Sequence, residues 1–187
     1  MSRDQSTTSN VNIVNFYRNF HLKESKSFCI APWVHIHTTP AGTAAPCCIA
    51  DSSNDNKGVG NTRVQGLMEV VNSPKMNKLR IDMLTNILND ECKKCHRHDA
   101  QQVPSSRKML NEEFSSFYDE CMENTNQDGS LKEFKMRYFD VRFSNICNMK
   151  CRTCGSGCSS KWEQEDLKAK LGYARIVPKN DNPTFLQ

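Results

Sequence analysis

The sequence predicts a mixed α/β fold, and three segments carry this prediction. A short hairpin is expected over residues 28–47, a helix begins after Ser73, and a strand at residues 137–143 precedes a helix that opens at Ser160. A cysteine-rich loop separates that last strand from its helix, which gives the order of a single βα unit. We therefore expect a hairpin-and-helix region followed by the first βα unit of a larger fold.

The composition argues against nucleic-acid and membrane binding. The 187 residues include 25 Lys and Arg against 21 Asp and Glu, a net charge of +4, and the basic residues are scattered along the chain. No run approaches the roughly 18 apolar residues of a membrane span, and the polar N-terminus lacks a secretory signal. We expect a cytoplasmic protein, in which the ten cysteines stay reduced and available to metal.

The hairpin follows from alternation of residue types. Trp33, Val34 and Ile36 alternate with two histidines, and a Pro-Ala-Gly turn at residues 40–42 leads the chain back towards Cys47. The preceding residues 1–25 are expected to form a tail with a single helical turn. Residues 51–62 have the composition of a loop.

Two helices are expected between the hairpin and the last strand. The first begins at Ser73-Pro74 and extends to Asn89. Its apolar face contains Met76, Leu79, Met83, Leu84, Ile87 and Leu88. The second follows a polar link at residues 99–111, and its apolar face contains Phe114, Phe117, Tyr118, Cys121 and Met122. Because Cys121 lies on this apolar face, we expect it to pack in the core.

The C-terminal βα unit also has an apolar pattern. The strand places Phe139, Val141 and Phe143 on one face. Ser160 and Glu163 have the spacing of a capping box, and the helix they open is expected to end near Gly172. Its apolar residues are Trp162, Leu167 and Leu171.

Three cysteines of the intervening loop have the spacing of metal ligands. Cys147, Cys151 and Cys154 are separated by three and two residues, whereas zinc usually takes four ligands from two separated pairs. Three thiolates from one loop fit an iron–sulfur cluster better and leave one iron for a ligand that is not protein. The sequence leaves open whether Cys158 is a fourth ligand or a thiol without that role.

This loop resembles the signature of the radical S-adenosylmethionine enzymes. In that family the three cysteines bind a 4Fe-4S cluster, whose fourth iron is chelated by the amino and carboxylate groups of S-adenosylmethionine. The resemblance implies that Cys147, Cys151 and Cys154 hold the cluster and bind this cofactor, and that a reduced ferredoxin- or flavodoxin-type protein supplies the electron. The sequence departs from the family at Thr153, where many members have an aromatic residue that packs near the adenine.

The N-terminal cysteines resemble the auxiliary-cluster region called SPASM, or its shorter form, twitch. The matching features are a first cysteine, a Gly-x4-Cys motif that begins at Gly42, and a Cys-x2-Cys motif after the first helix. The resemblance implies a second 4Fe-4S cluster with the ligands Cys29, Cys47, Cys92 and Cys95, the glycine spacing favouring Cys47 over Cys48. It also implies a peptide or protein substrate. In the best-known relatives this region follows the barrel, whereas here it precedes the radical motif.

Two other interpretations of the N-terminal cysteines stay open. Cys92, Cys95 and His96 have the form of a c-type haem attachment site, although no export signal is visible. Alternatively, zinc could bind the four cysteines with or without His96 or His98. Zinc, or a single iron–sulfur cluster that only stabilises a small fold, would make the chain a non-catalytic metal-binding module.

The predicted organisation has four parts. They are a tail at residues 1–25, an auxiliary-cluster region at 26–98, a linker and helix at 99–135, and the start of the radical core at 136–187. A complete (β/α) barrel needs several such units, so the chain is expected to be a fragment or to need a second chain. An unpaired first strand would expose its apolar face, and we therefore expect the isolated chain to associate with itself or with a partner.

Overall fold

A small four-stranded sheet lies at the centre of the structure, a computed structural model that describes residues 13–50, 58–142 and 144–168. Its strands are β1 (His35–Thr38), β2 (Thr43–Ala45), β3 (Gly60–Asn61) and β4 (Tyr138–Val141). The spatial order is β3-β2-β1-β4. β2 is antiparallel to both of its neighbours, whereas β4 is parallel to β1. The predicted mixed α/β class is confirmed.

Short helices precede and follow the strands along the chain. They are α1 (Ala31–Val34), α2 (Leu67–Val71), α3 (Pro74–Leu84), α4 (Lys93–Ala100), α5 (Ser106–Glu113), α6 (Tyr118–Glu123) and α7 (Ser160–Lys168). Two 3-10 turns, Asp90–Cys92 and Ser115–Phe117, precede α4 and α6. None of the helices in the described ranges is long and apolar enough to cross a membrane.

The N-terminal segment is more ordered than the predicted tail. Residues 13–19 are helical and continue into a π-helical turn, Phe20–Glu24. This helix is held by an ion pair of 2.9 Å between Arg18 and Asp119. Its buried His21 accepts a hydrogen bond of 2.5 Å from the Tyr118 hydroxyl. The segment is therefore packed on the domain and exceeds the single helical turn that the sequence predicts.

The hairpin is present, but its first strand is shorter than predicted. Trp33 and Val34 belong to the helical turn α1, because Pro32 is well placed in a first turn and the Trp33 N–H donates to the Ile30 carbonyl over 3.0 Å. Part of the predicted loop at residues 51–62 is also a strand, since β3 pairs with β2. Residues 51–57 of that prediction lie outside the described residues.

Helix α3 confirms the predicted start but ends five residues early. The Ser73 hydroxyl accepts a hydrogen bond from the Met76 N–H, and Pro74 occupies the first turn. The helix stops at Leu84 because Asn86 adopts a left-handed conformation with φ of +59°, a common way to end a helix. Ile87 and Leu88 are consequently 54% and 59% exposed, which corrects their placement on the buried face.

The second predicted helix begins earlier and is divided. Helix α5 occupies residues 106–111 of the predicted polar link at residues 99–111, and the Ser105 hydroxyl caps it by accepting from the Lys108 N–H. The 3-10 turn Ser115–Phe117 then separates α5 from α6. Cys121 packs in the hydrophobic core, as predicted.

A buried arginine, Arg80, connects helix α1 to two other segments of the core. The core residues include Phe28, Ile30, Ile36, Val70, Met76, Leu79, Met83, Tyr118 and Leu131. Arg80 has no exposed surface and donates to the carbonyl groups of Pro32, Val71 and Gly129 at 2.9 to 3.0 Å. Burial lowers the pKa of its guanidinium to about 10. These hydrogen bonds fix the backbone of α1, which directly follows the segment that carries Cys29.

Strand β4 differs from the unpaired strand that the sequence suggested. Its residues pair with β1 in parallel register, Tyr138 opposite His35 and Asp140 opposite His37. Strand β4 is nevertheless an edge strand of the described sheet, and Phe139 is 69% exposed. The predictions for Phe143, Leu171 and Gly172, and for the side chains of Val141 and Leu167, lie outside the described residues.

Candidate metal centre

Four cysteines from distant parts of the chain gather beside the core. Cys29 precedes α1, Cys47 follows β2, Cys92 ends a 3-10 turn and Cys95 lies in the first turn of α4. Cys29 and Cys95 are 7% exposed, and the other two are half-buried. The hairpin therefore supplies two of the thiols and the turn after α3 supplies the other two.

The four thiols are close enough to influence one another electrostatically. Burial raises the pKa of every one of them, that of Cys47 to about 11 and that of Cys92 to about 12. The pKa of Cys29 is raised further by the negative charges that Cys47, Cys92 and Cys95 carry when ionised. Such a group ionises fully only when a positive centre compensates the charge, as an iron–sulfur core or a metal ion does.

Cys47 and Cys48 occupy different surroundings. Cys47 interacts electrostatically with Cys29, Cys92 and Cys95. Cys48 is exposed. The structure thus brings Cys47 into the group of four and leaves its neighbour at the surface.

Backbone N–H groups surround three of the sulfur atoms. They belong to Ala31 at Cys29, to Ile49 and Ala50 at Cys47, and to Ser106 and Arg107 at Cys95, and each lowers the pKa of the thiol that it faces. The last two lie at the start of α5, where N–H groups have no partner within the helix. Hydrogen bonds of this kind stabilise thiolates and set the reduction potential of iron–sulfur clusters.

Arg107 connects the two halves of this site. Its guanidinium donates to Asp99 of α4 over 2.5 Å and 2.9 Å, and to the carbonyl groups of Ser25 and Phe28 over 3.0 Å and 2.9 Å. Helix α4 carries Cys95, and Phe28 precedes Cys29. The side chain thereby fixes the distance between the two chain segments that provide these thiols.

The second cysteine group lies on the loop between β4 and α7. Cys147 is half-buried, and Cys151 and Cys154 are exposed. The loop is tied to the first turn of α7: the Trp162 Nε1–H donates to the Cys151 carbonyl over 3.1 Å, and the Ser160 hydroxyl donates to the Cys147 carbonyl over 3.1 Å. The backbone that carries two of the three cysteines is therefore anchored to the helix.

A cavity of about 630 Å³ opens beside this loop. It is lined by Pro40, Arg142, Ser144, Thr153, Cys154, Gly155 and Cys158. Of the three predicted ligands only Cys154 lines it, together with Cys158, whose sulfur is 3.5 Å from Arg142 Nη1. Across the described ranges, no three His, Cys, Asp or Glu side chains are arranged to hold a single metal ion.

A series of polar contacts joins β1 of the hairpin to Arg142 beside the cysteine loop, and the sequence did not predict it. His37 Nδ1 lies 2.9 Å from Asp140 Oδ2, and Asp140 Oδ1 lies 3.6 Å from Arg142 Nε. The alternation of charged and apolar residues in β1 and β4 was visible in the sequence. The parallel pairing that makes His37 and Asp140 neighbours was not, because 103 residues separate them.

Residues 29–96 match the family model of the SPASM iron-sulfur cluster-binding domain. This range contains all four of the gathered cysteines, so the chain has a SPASM- or twitch-type iron–sulfur region. Neither the curated proteins nor the solved structures gave a match to the chain. In the SPASM region Cys92 and Cys95 lie with the thiols of Cys29 and Cys47, which favours a shared cluster over attachment of a haem at these two cysteines.

Proposed function

We propose that this chain is the cluster-bearing part of a radical S-adenosylmethionine enzyme that modifies a peptide or protein. The observation that carries the proposal is the gathering of four thiols, two buried and two half-buried, within the range matched by the SPASM model. The same chain also has the motif Cys147-x3-Cys151-x2-Cys154. An auxiliary cluster and a cluster that binds the cofactor would then occupy the two cysteine groups. The chain would therefore hold two 4Fe-4S clusters.

The SPASM region has the properties that an auxiliary 4Fe-4S cluster requires. Cys29, Cys47, Cys92 and Cys95 provide four thiols around one place, and backbone N–H groups support the charge on three of them. The guanidinium of Arg107 lowers the pKa values of Cys92 and Cys95 and so favours their thiolate forms. We assign these four cysteines as its ligands.

The position of the second cysteine loop supports a cofactor site. The loop follows the carboxyl end of β4, which is parallel to β1, and ligands of parallel sheets bind outside the carboxyl ends of the strands. When bound, a 4Fe-4S cluster at Cys147, Cys151 and Cys154 supplies the electron that cleaves the sulfonium of S-adenosylmethionine. The anchored loop holds these three cysteines, and the cavity at Cys154 provides space beside them.

Two kinds of partner belong to this proposal. Strand β4 and helix α7 would be the first βα unit of a radical core, and a second polypeptide would supply further units of its barrel. A reduced ferredoxin- or flavodoxin-type protein would deliver electrons. The exposed side chains of Lys94 and Arg97 on α4, which also carries Cys95, would attract an acidic electron carrier.

Anaerobic reconstitution tests the proposal. The expected content is about eight iron and eight sulfide per chain, from two four-iron clusters. Replacing Cys147, Cys151 and Cys154 together by Ala should remove half of the iron, and Cys95→Ala should remove the other half. Cys48→Ala, an exposed cysteine beside a proposed ligand, is the matched control and should keep both clusters.

The electron paramagnetic resonance spectrum of the reduced protein supplies the second readout. Adding S-adenosylmethionine should shift the signal of the wild type and of Cys95→Ala, and should leave the triple variant unchanged. Zinc in place of iron, or iron without any response to S-adenosylmethionine, would contradict the proposed function and support a non-catalytic metal-binding module.

A further inference from the structure

We propose that the cavity beside the cysteine loop binds a carboxylate through Arg142, and that His37 and Asp140 position this guanidinium. The inference rests on the proposed function, from which the carboxylate would be that of the aminoacyl end of S-adenosylmethionine. It names a binding residue on β4's carboxyl side and connects it to a residue of the SPASM region. Arg142 and His37 are not cluster ligands, and neither lies within the Cys147-x3-Cys151-x2-Cys154 motif.

The lining of the cavity favours an anionic group. Its seven residues are Pro40, Arg142, Ser144, Thr153, Cys154, Gly155 and Cys158, and Arg142 is the one with a permanent charge. The hydroxyl groups of Ser144 and Thr153 add donors that are compatible with a carboxylate. A volume of about 630 Å³ lies within the range of ordinary small-molecule sites.

The guanidinium keeps donors available for a ligand. The side chain of Arg142 is 46% exposed, and its Nε lies 3.6 Å from Asp140 Oδ1, which is beyond good hydrogen-bond distance. Nη1 is 3.5 Å from the Cys158 sulfur, and Nη2 has no hydrogen-bond partner among the described residues. A carboxylate can accept two parallel hydrogen bonds from such a planar group, which makes the pairing strong and directional.

Asp140, itself in contact with His37, attracts the guanidinium electrostatically and leaves its hydrogen-bond donors available. Asp140 interacts with Arg142 through Oδ1 while its other oxygen, Oδ2, lies 2.9 Å from His37 Nδ1. The side chains of His37 and Asp140 are only 8% and 20% exposed, so surrounding residues restrict both of them. His37 belongs to β1, within the SPASM region, and Asp140 belongs to β4, which leads to the cavity. Their contact therefore links the position of Arg142 to the SPASM region.

Cys154 indicates which ligand the cavity receives. It lines the same cavity as Arg142, and it is one of the three cysteines assigned to the cofactor-binding cluster. A carboxylate held by Arg142 would therefore belong to a molecule that also reaches that cluster. 5′-Methylthioadenosine keeps the nucleoside but lacks the whole aminocarboxypropyl end of S-adenosylmethionine. The pair therefore measures the contribution of that end, and the Arg142 variants show which part of it depends on the guanidinium.

The test measures binding by anaerobic calorimetry to the reconstituted protein with its clusters oxidised, so that no cofactor is cleaved. The wild type should bind S-adenosylmethionine more tightly than 5′-methylthioadenosine. Arg142→Gln should weaken binding of S-adenosylmethionine roughly 10- to 100-fold, as expected for hydrogen bonds to a charged group, with 5′-methylthioadenosine unaffected. Arg142→Lys, which keeps the charge and loses the planar fork, should recover part of that affinity.

Three further variants complete the design. Arg152→Gln removes the same charge from an exposed residue of the same loop that does not line the cavity, and it should bind both compounds like the wild type. Asp140→Asn and His37→Gln should reduce the preference for S-adenosylmethionine by a smaller factor than Arg142→Gln, because they act through its position. Iron content and circular dichroism check that each variant is folded and loaded.

The outcomes separate this inference from the proposed function. If Arg142→Gln keeps the full preference for S-adenosylmethionine, the carboxylate assignment is wrong and the proposed function is unaffected. If the loaded wild type binds neither compound, both are overturned. If Asp140→Asn and His37→Gln bind like the wild type while Arg142→Gln does not, the positioning roles are wrong.

Discussion

The guanidinium of Arg107 lies against the carboxylate of Asp99, with 2.5 Å between Nη2 and Oδ2. Their side chains are 5% and 15% exposed, so this ion pair is largely buried. The same guanidinium also donates to two carbonyl groups in the segment that leads to Cys29. The contact therefore joins helix α4 to the first cysteine of the SPASM region.

Arg107→Met should destabilise the protein and its auxiliary site. The change leaves Asp99 without its main buried partner, and a broken buried ion pair costs about 3 kcal/mol of the free energy of unfolding. Urea denaturation of the reconstituted protein measures the loss, and the iron content should fall by up to one cluster. The control is Lys108→Met, whose exposed ammonium lies 3.5 Å from the same carboxylate. Equal stability of both variants would contradict the structural role of Arg107.

Stability should fall on mild acidification, in part through His21. Burial lowers the pKa of His21 below its ordinary value of 6.5, since protonation would place a charge beside the rings of Phe28 and Tyr118. The hydrogen bond to the Leu84 carbonyl favours the protonated form but offsets only part of this effect. The unfolded chain therefore binds the proton more readily than the folded chain. This contribution to the free energy of unfolding is fully present above pH 6.5 and is lost as the pH falls below that value.

The measurement compares urea denaturation of the wild type and of His21→Phe between pH 7.5 and 5.5. Phe keeps the stacked ring but has no proton to gain, so its stability should depend less steeply on pH. His98→Gln, a change at an exposed position of α4, should keep the wild-type slope. The same slope in His21→Phe as in the wild type would exclude this role.

The exposed face of β4 should promote association of the isolated chain. Phe139 is 69% exposed on the outermost strand of the described sheet, where both an apolar side chain and a strand edge are available to a neighbour. Static light scattering should give a mass above that of the monomer for the wild type. Phe139→Ser should lower it, whereas Phe16→Ser, at a 65% exposed site on the N-terminal helix, should not. A monodisperse wild-type monomer would show that β4 does not cause association.

Local sequence patterns predicted the start of α3 well but not its end. Ser73 and Pro74 act within one turn of the helix, so their effect could be deduced from neighbouring residues alone. Asn86 ends the helix differently: its side-chain oxygen accepts hydrogen bonds from the Ser25 hydroxyl and the Lys26 N–H, about 60 residues earlier in the chain. Helical spacing continues through Leu88 in the sequence, but it contains no information about this distant contact.

The helix α5 shows the same limitation at the candidate metal centre. Residues 99–111 look polar, and the sequence alone suggested a linker there. The folded chain uses this segment to bring the N–H groups of Ser106 and Arg107 to Cys95. Polar residues near a metal centre are buried for their hydrogen bonds, and apolar periodicity cannot detect them.

The sequence by itself determined the mixed α/β class, the two groups of cysteines, and the resemblance that led to a SPASM region, because cysteine spacing within a short segment is a local property. Only the tertiary structure decided that β4 pairs with β1, which places His37 beside Asp140 and extends the contact to Arg142. Such pairing depends on packing between segments about a hundred residues apart, which no local pattern encodes.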